Sequence, residues 1–158
     1  MGGGAALGGD EPLAYFNLGA VLGNSAHHVE AAQRYLEARE RYPVGLEDWA
    51  VATAWAFDML TKEACAEVAK PEWWSDEGLK ALSARVVRAA PDDTEAHQMR
   101  AIVLSGQCVA WEVETRSAAE LRAAAAHFER AAALHPASAA KAEFTDLAAL
   151  CRSQAEAM

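Results

Sequence analysis

The sequence is short of positive charge. Its 14 Lys and Arg stand against 23 Asp and Glu, a formal −9 over 158 residues. Such a surface repels phosphate backbones and anionic headgroups, so neither nucleic acid nor a membrane is expected as a partner. Cysteine is scarce as well: Cys65, Cys108 and Cys151 are isolated from one another. They offer neither a disulfide framework nor zinc-ligand spacing, and fit the cytoplasm or another reducing compartment. No apolar run approaches the roughly 20 residues of a membrane span, and the N-terminus lacks a basic stretch followed by an apolar one. A soluble, unexported chain is expected. Met1-Gly2 is no acylation start either, because Ala6 stands where that signal needs Ser or Thr.

Catalytic signatures are missing too. G-x-S-x-G, P-loop, H-E-x-x-H and G-x-G-x-x-G patterns do not occur, and GGGAALGG precedes no strand. His27 and His28 are adjacent, so on a turn or helix they point in different directions and do not share a metal. His97, His127 and His135 have no cysteine or carboxylate at ligand spacing, and are expected as structural residues. No enzyme, metal or cofactor is therefore expected.

What the chain has is alanine. Hydrophobic residues make up 53%, enough for one packed domain, and much of that share lies in stretches such as AELRAAAAHFERAAALHP. Alanine is the best helix former, so the text reads as helices and not as sheet. A flexible glycine-rich leader is expected over residues 1–11, and a single all-α domain over 12–158.

The clearest pattern runs from Pro12 to Pro43, where Tyr15, Leu18, Gly19 and Leu22 precede Ala31, Tyr35, Ala38 and Pro43. This predicts two antiparallel helices over 12–23 and 27–41. Gly19 and Ala31 are small where the axes cross, and Tyr15, Leu18, Leu22 and Tyr35 supply the filling on one face. Asn24 or Ser25 is placed to cap the second helix. The spacing W-x2-L-G-x2-Y, A-x3-F, A, P resembles the tetratricopeptide repeat. Trp49 follows Tyr15 by 34 residues, the repeat length of that family.

Later segments are looser copies. Ala52, Thr53 and Ala56 replace Leu18, Gly19 and Leu22, and Trp49, Trp55, Phe57 and Met59 are expected to compensate. The helix is predicted to continue through TKEACAEVAK until Pro71 halts it. Ser75 is a candidate cap for the next helix, with Trp74 packed on Leu79 across its start. The third unit begins at DDTEAHQMRAIVLSG and is predicted as an extended helix ending near Thr115. Ser117 and Glu120 then form a capping box, and Ala124, Phe128, Ala131 and Pro136 repeat the spacing of Ala31, Tyr35, Ala38 and Pro43. A last amphipathic helix, with Phe144, Leu147 and Leu150 or Cys151 on one side, has the form of a cap.

The resemblance implies a right-handed superhelical stack of antiparallel helix pairs, about seven helices in all. The repeats fall near 12–45, 46–93 and 94–137, with a capping helix over 138–158. It also implies a protein-interaction scaffold whose first helices line a concave groove. By position the groove residues are Leu13, Phe16, Ala20 and Gly23, then Glu47, Ala50, Ala54 and Phe57, then Glu95, Gln98, Ile102 and Ser105. Family members that grip terminal carboxylates use Lys, Arg and Asn on this wall; here it is apolar, small or acidic, which argues against a carboxylate clamp. An apolar extended peptide or amphipathic helix suits it better, with Glu47 and Glu95 available to basic residues. The alternative is that Phe16 and Phe57 only pack against neighbouring helices.

Trp73-Trp74 is a possible second surface, since tryptophan is enriched in interface hot spots; otherwise both fold onto their own domain. The stretch from Leu46 to Asp93 carries ten acidic and five basic side chains, so a basic partner would prefer it. Self-association through the tryptophans or the groove is the second functional reading.

Overall fold

A computed structural model describes residues 11–158. The leader expected over 1–11 lies, but for Glu11, outside the described residues. Those residues form seven α-helices and no strand, which makes the chain all-α. It divides into two compact units, the first ending at Ala69 and the second running Lys70–Met158.

In the first unit, α1 (Pro12–Asn24), α2 (His28–Arg41) and α3 (Glu47–Leu60) pack in sequence, α1 on α2 and α2 on α3. Pro12 opens α1, where a missing N–H costs nothing. Gly19 is needed at the α1–α2 crossing: a Cβ there would stand 2.9 Å from the Tyr35 ring. Ala31, Tyr35 and Ala38 are buried as the repeat spacing predicts, whereas Leu18, expected among the filling, is exposed. Its place is taken by Phe16, which meets Tyr35 edge-on at 5.2 Å. The cap expected from Asn24 or Ser25 is also absent. Ser25 Oγ donates back to Val21 O at 3.0 Å, and His27, at the N-cap position of α2, gives no side-chain cap.

Two expectations of helix length fail, each for a local reason. α3 stops at Leu60, and the predicted continuation through 61–70 is instead a tight 3-10 turn at Glu63–Cys65. Thr61 Oγ1 donates to Asp58 O at 2.6 Å, and the Thr61 and Lys62 amides bond three residues back, which tightens the last turn and ends it. The second failure lies in the other unit.

That unit holds α4 (Asp76–Ala89), α5 (Thr94–Ser105), α6 (Ala118–Leu134) and α7 (Ser138–Glu156), each packed on the next. Ser75 caps α4 through the Gly78 amide, Asp93 caps α5 through the Ala96 amide, and Ser117 with Glu120 makes the capping box of α6. The core around Phe128 and Phe144, stacked at 6.3 Å, is otherwise mostly alanine, with Leu104 and Cys151. Small residues let α5, α6 and α7 approach closely. The extended helix predicted to Thr115 does not form. Gly106 adopts φ +68° and closes α5 after Ser105, because a left-handed residue ends the i to i−4 ladder. Residues 107–117 then run as an irregular loop to the α6 cap.

Asp76 anchors that loop. Arg116, only 6% exposed, donates Nη1 to Asp76 Oδ2 at 2.8 Å and Nη2 to Oδ1 at 2.6 Å, and Nη2 also donates to Val103 O at 2.9 Å. Trp111 Nε1 donates to Asp76 Oδ1 at 3.0 Å. The tryptophans join in: Trp74, expected against Leu79, donates its indole N–H to Ala110 O at 3.1 Å and meets Trp111 edge-on at 5.8 Å. Trp73 lies 5.9 Å from Trp74, and both are half-buried.

A second polar pair joins α5 to α6. His97 Nε2 lies 2.7 Å from Pro91 O, and since a carbonyl only accepts, that nitrogen carries a proton. In neutral His97 the Nδ1 is then an acceptor, so the proton in the 2.9 Å Nδ1 to Nδ1 contact belongs to His127. Burial, with His97 and Arg100 nearby, lowers His127 to a pKa of about 4. A histidine depressed in the folded state contributes stability that is complete above its unfolded pKa of about 6.5 and lost as pH falls towards the folded value. Denaturant melts are therefore expected to show stability falling by roughly 1–2 kcal/mol between pH 7 and pH 4, after discounting for solvent screening at a half-buried site. His127→Ala should flatten that slope, and an unchanged slope would place the titrating group elsewhere.

Candidate functional site

The first unit carries a trough between α1 and α3, floored by α2. Its larger part is a pocket of about 290 Å³ lined by Phe16, Ala20, Gly23 and Asn24 from α1, Tyr35 from α2, and Trp55 and Met59 from α3. A smaller pocket of about 100 Å³ continues it past Phe16, with Leu13, Tyr42, Asp48 and Val51. Phe16 borders both. Helix geometry explains the lining, because residues three and four apart share a face. Leu13, Phe16, Ala20 and Gly23 face the trough from one side, and Asp48, Val51, Trp55 and Met59 from the other.

The floor and walls are aromatic. Tyr35 is stacked near Trp55, with centroids 6.0 Å apart and planes at 23°, and Phe16 stands edge-on to it. These rings give a fixed apolar surface with little side-chain entropy left to lose. Asp48 is the one charged side chain among the lining residues. Burial, and then the Asp48 carboxylate, push the Tyr42 phenol up from its ordinary pKa, so that end of the trough is neutral or negative. The Arg39 and Arg41 cations are engaged elsewhere in the unit: Arg39 lies 5.3 Å over Trp49 and bonds Thr53 Oγ1 at 2.8 Å, and Arg41 lies 4.3 Å over Tyr15.

Of the expected groove residues, Leu13, Phe16, Ala20 and Gly23 do line this trough. On α3 the expected wall is corrected. Ala50, Ala54 and Phe57 are fully buried, which leaves them no surface to offer, and Glu47 is exposed without lining either pocket. The accessible face is the one carrying Asp48, Val51 and Trp55, with the buried Met59 closing its end. The spacing gave no signal for this, because large side chains stand on both sides of α3: Trp49, Phe57 and Leu60 on the buried one, Val51 and Trp55 on the open one.

No family model, characterised protein or solved structure matches this chain. The site is therefore read from its own chemistry. In the second unit, Glu95, Gln98 and Ile102 are half-buried on α5, and Ser105 is buried. Ile102 borders an apolar pocket of about 210 Å³ with Cys108, Phe128, Leu147, Leu150 and Cys151. The three cysteines are free thiols, and burial raises the pKa of Cys108 and Cys151. Among the described residues, no three His, Cys, Asp or Glu side chains converge as metal ligands, and no helix is long and apolar enough to cross a membrane.

Proposed function

We propose that this chain is a non-enzymatic protein-interaction module of tetratricopeptide-like build, and that the α1–α3 trough is its binding site. The carrying observation is the aromatic pocket of Phe16, Tyr35 and Trp55, which continues past Leu13 to a single acidic residue, Asp48. One further feature supports the family reading: Gly19 lies against the Tyr35 ring where the repeat spacing wants a small residue. The ligand is a short peptide or one face of an amphipathic helix, with apolar residues three or four apart and a basic residue towards Asp48. The trough spans Leu13 to Asn24 on α1, about 16 Å at 1.5 Å per residue, or roughly three turns of a docked helix. Self-association is the second reading.

Selection from a displayed library of helical and extended peptides tests it. The selected peptides should share two or three apolar anchors and one Lys or Arg at a fixed end. Trp55→Ala should weaken them by about tenfold or more, the range of an aromatic hot spot, and Asp48→Lys should remove the basic preference. Failure to select any peptide, or selected peptides indifferent to Trp55→Ala in a variant of unchanged helicity, would remove the trough as the site.

A further inference from the structure

The larger pocket of the α1–α3 trough has aromatic rings on three sides. Phe16 comes from the α1 wall, Trp55 from the α3 wall and Tyr35 from the floor, and all three line the same 290 Å³. Phe16 stands at 64° to Tyr35, and Tyr35 at 23° to Trp55. The face of an aromatic ring is electron-rich, so rings gathered round one space attract a cation into it.

The surrounding charge has the same preference. Neither pocket of the trough is bordered by a lysine or arginine, and the Asp48 carboxylate lies past Phe16 in the continuing pocket. The whole chain carries −9. A cation is therefore drawn to the trough, and an anion is kept from it.

Hydrogen bonding decides which cation fits. The arginines of this unit that lie over rings each also reach an oxygen: Arg39, over Trp49, donates to Thr53 Oγ1 at 2.8 Å, and Arg41, over Tyr15, donates to Glu37 O at 3.0 Å. The three-ring pocket offers Asn24 and the Tyr35 hydroxyl as its only polar side-chain groups. An ammonium or guanidinium seated there would leave N–H donors short of partners, at a cost in desolvation. A quaternary ammonium has no N–H to satisfy. Its methyl groups bury apolar surface against the rings, Ala20 and Met59, while its charge keeps the ring attraction.

We propose that the three-ring pocket takes a trimethylated lysine side chain of the docked peptide, with the methyl groups among Phe16, Tyr35 and Trp55. This rests on the trough being a peptide site, and adds one anchor to that reading.

Nuclear magnetic resonance titration of the full chain tests it, read on the Trp55 indole signal as assigned by its loss in Trp55→Leu. The probes are the Nα-acetyl amides of trimethyllysine, lysine and arginine, the uncharged tert-butyl isostere of trimethyllysine, and choline. Trimethyllysine amide should bind about tenfold or more tighter than the lysine and arginine amides, and about fivefold or more tighter than the isostere. Phe16→Leu, with unchanged helicity, should remove the preference over the isostere. Asp48→Lys should weaken trimethyllysine amide by about threefold or more and leave the isostere unchanged. An isostere that binds as tightly as the cation overturns the proposal, as does lysine or arginine binding as well as trimethyllysine. Choline binding more tightly than trimethyllysine amide would overturn it too, by assigning the pocket to a small molecule. If peptides are selected in a Trp55-dependent way while trimethyllysine amide shows no preference, this inference falls and the trough reading stands; if no probe and no peptide moves the Trp55 signal, both fall.

Discussion

Arg116→Ala is expected to destabilise the second unit by about 3–5 kcal/mol, the usual cost of leaving one charge of a buried pair uncompensated. The variant strands the Asp76 carboxylate, which then keeps only the Trp111 indole at 3.0 Å, the Glu114 amide at 3.4 Å, and Lys80 Nζ at 3.7 Å. It also releases the loop, because Arg116 bonds Val103 O and Glu114 O. Hydrogen bonds to Arg116, reinforced by the Trp111 bond and the guanidinium charge, hold the Asp76 carboxyl well below the ordinary carboxylate range despite burial. For a depressed carboxyl the linked stability is complete above the unfolded pKa of about 3.9 and is lost as pH falls below it. The gap between wild type and Arg116→Ala should thus be largest near neutral pH and shrink in acid, as the stranded Asp76 carboxyl of the variant takes up its proton. Asp76→Leu combined with Arg116→Met should recover much of the loss, since paired apolar replacements leave no charge buried. Urea melts of the three proteins at pH 7 and pH 3 check both points, and a gap that widens in acid would remove the ion pair as the cause.

Gly106→Ala should cost about 2–5 kcal/mol, through two effects at one residue. Its φ of +68° is strained for any residue with a Cβ, at roughly 1–2 kcal/mol. The new Cβ would also stand 2.7 Å from Arg116 Cγ and 3.3 Å from Val113 Cγ1, adding overpacking of about 1–3 kcal/mol. Gly106→Asn separates the effects, because asparagine tolerates the left-handed conformation but keeps the clash. If alanine and asparagine cost the same, sterics dominate; a thermal melt showing no loss for alanine would mean that the loop moves to accept it.

Helices were the legible part of this chain. Ala31, Tyr35 and Ala38, and later Ala124, Phe128 and Ala131, were marked for burial by three- and four-residue spacing, and all six are buried. Ser75 and the Ser117–Glu120 box were readable as caps because a cap needs only two residues one turn apart. The two helix ends at Leu60 and Ser105 were not legible, and neither was the trough wall. TKEACAEVAK and GQCVAWEVET contain good helix formers, so local propensity argued for continuation. What stopped the first was a back-bonded Thr61, and what held the second open was a carboxylate 40 residues away in sequence, Asp76, bonded to Arg116.

By itself, then, the sequence determined the all-helical class, the helix order and most caps, because these depend on residues within a few turns of one another. The tertiary structure alone decided which face of α3 is open, that Trp74 and Trp111 share one polar centre with Asp76 and Arg116, and that Phe16, Tyr35 and Trp55 line one pocket. Each of these depends on contacts between segments far apart in the chain, whose free energy outweighs the few tenths of a kcal/mol per residue that local propensity supplies.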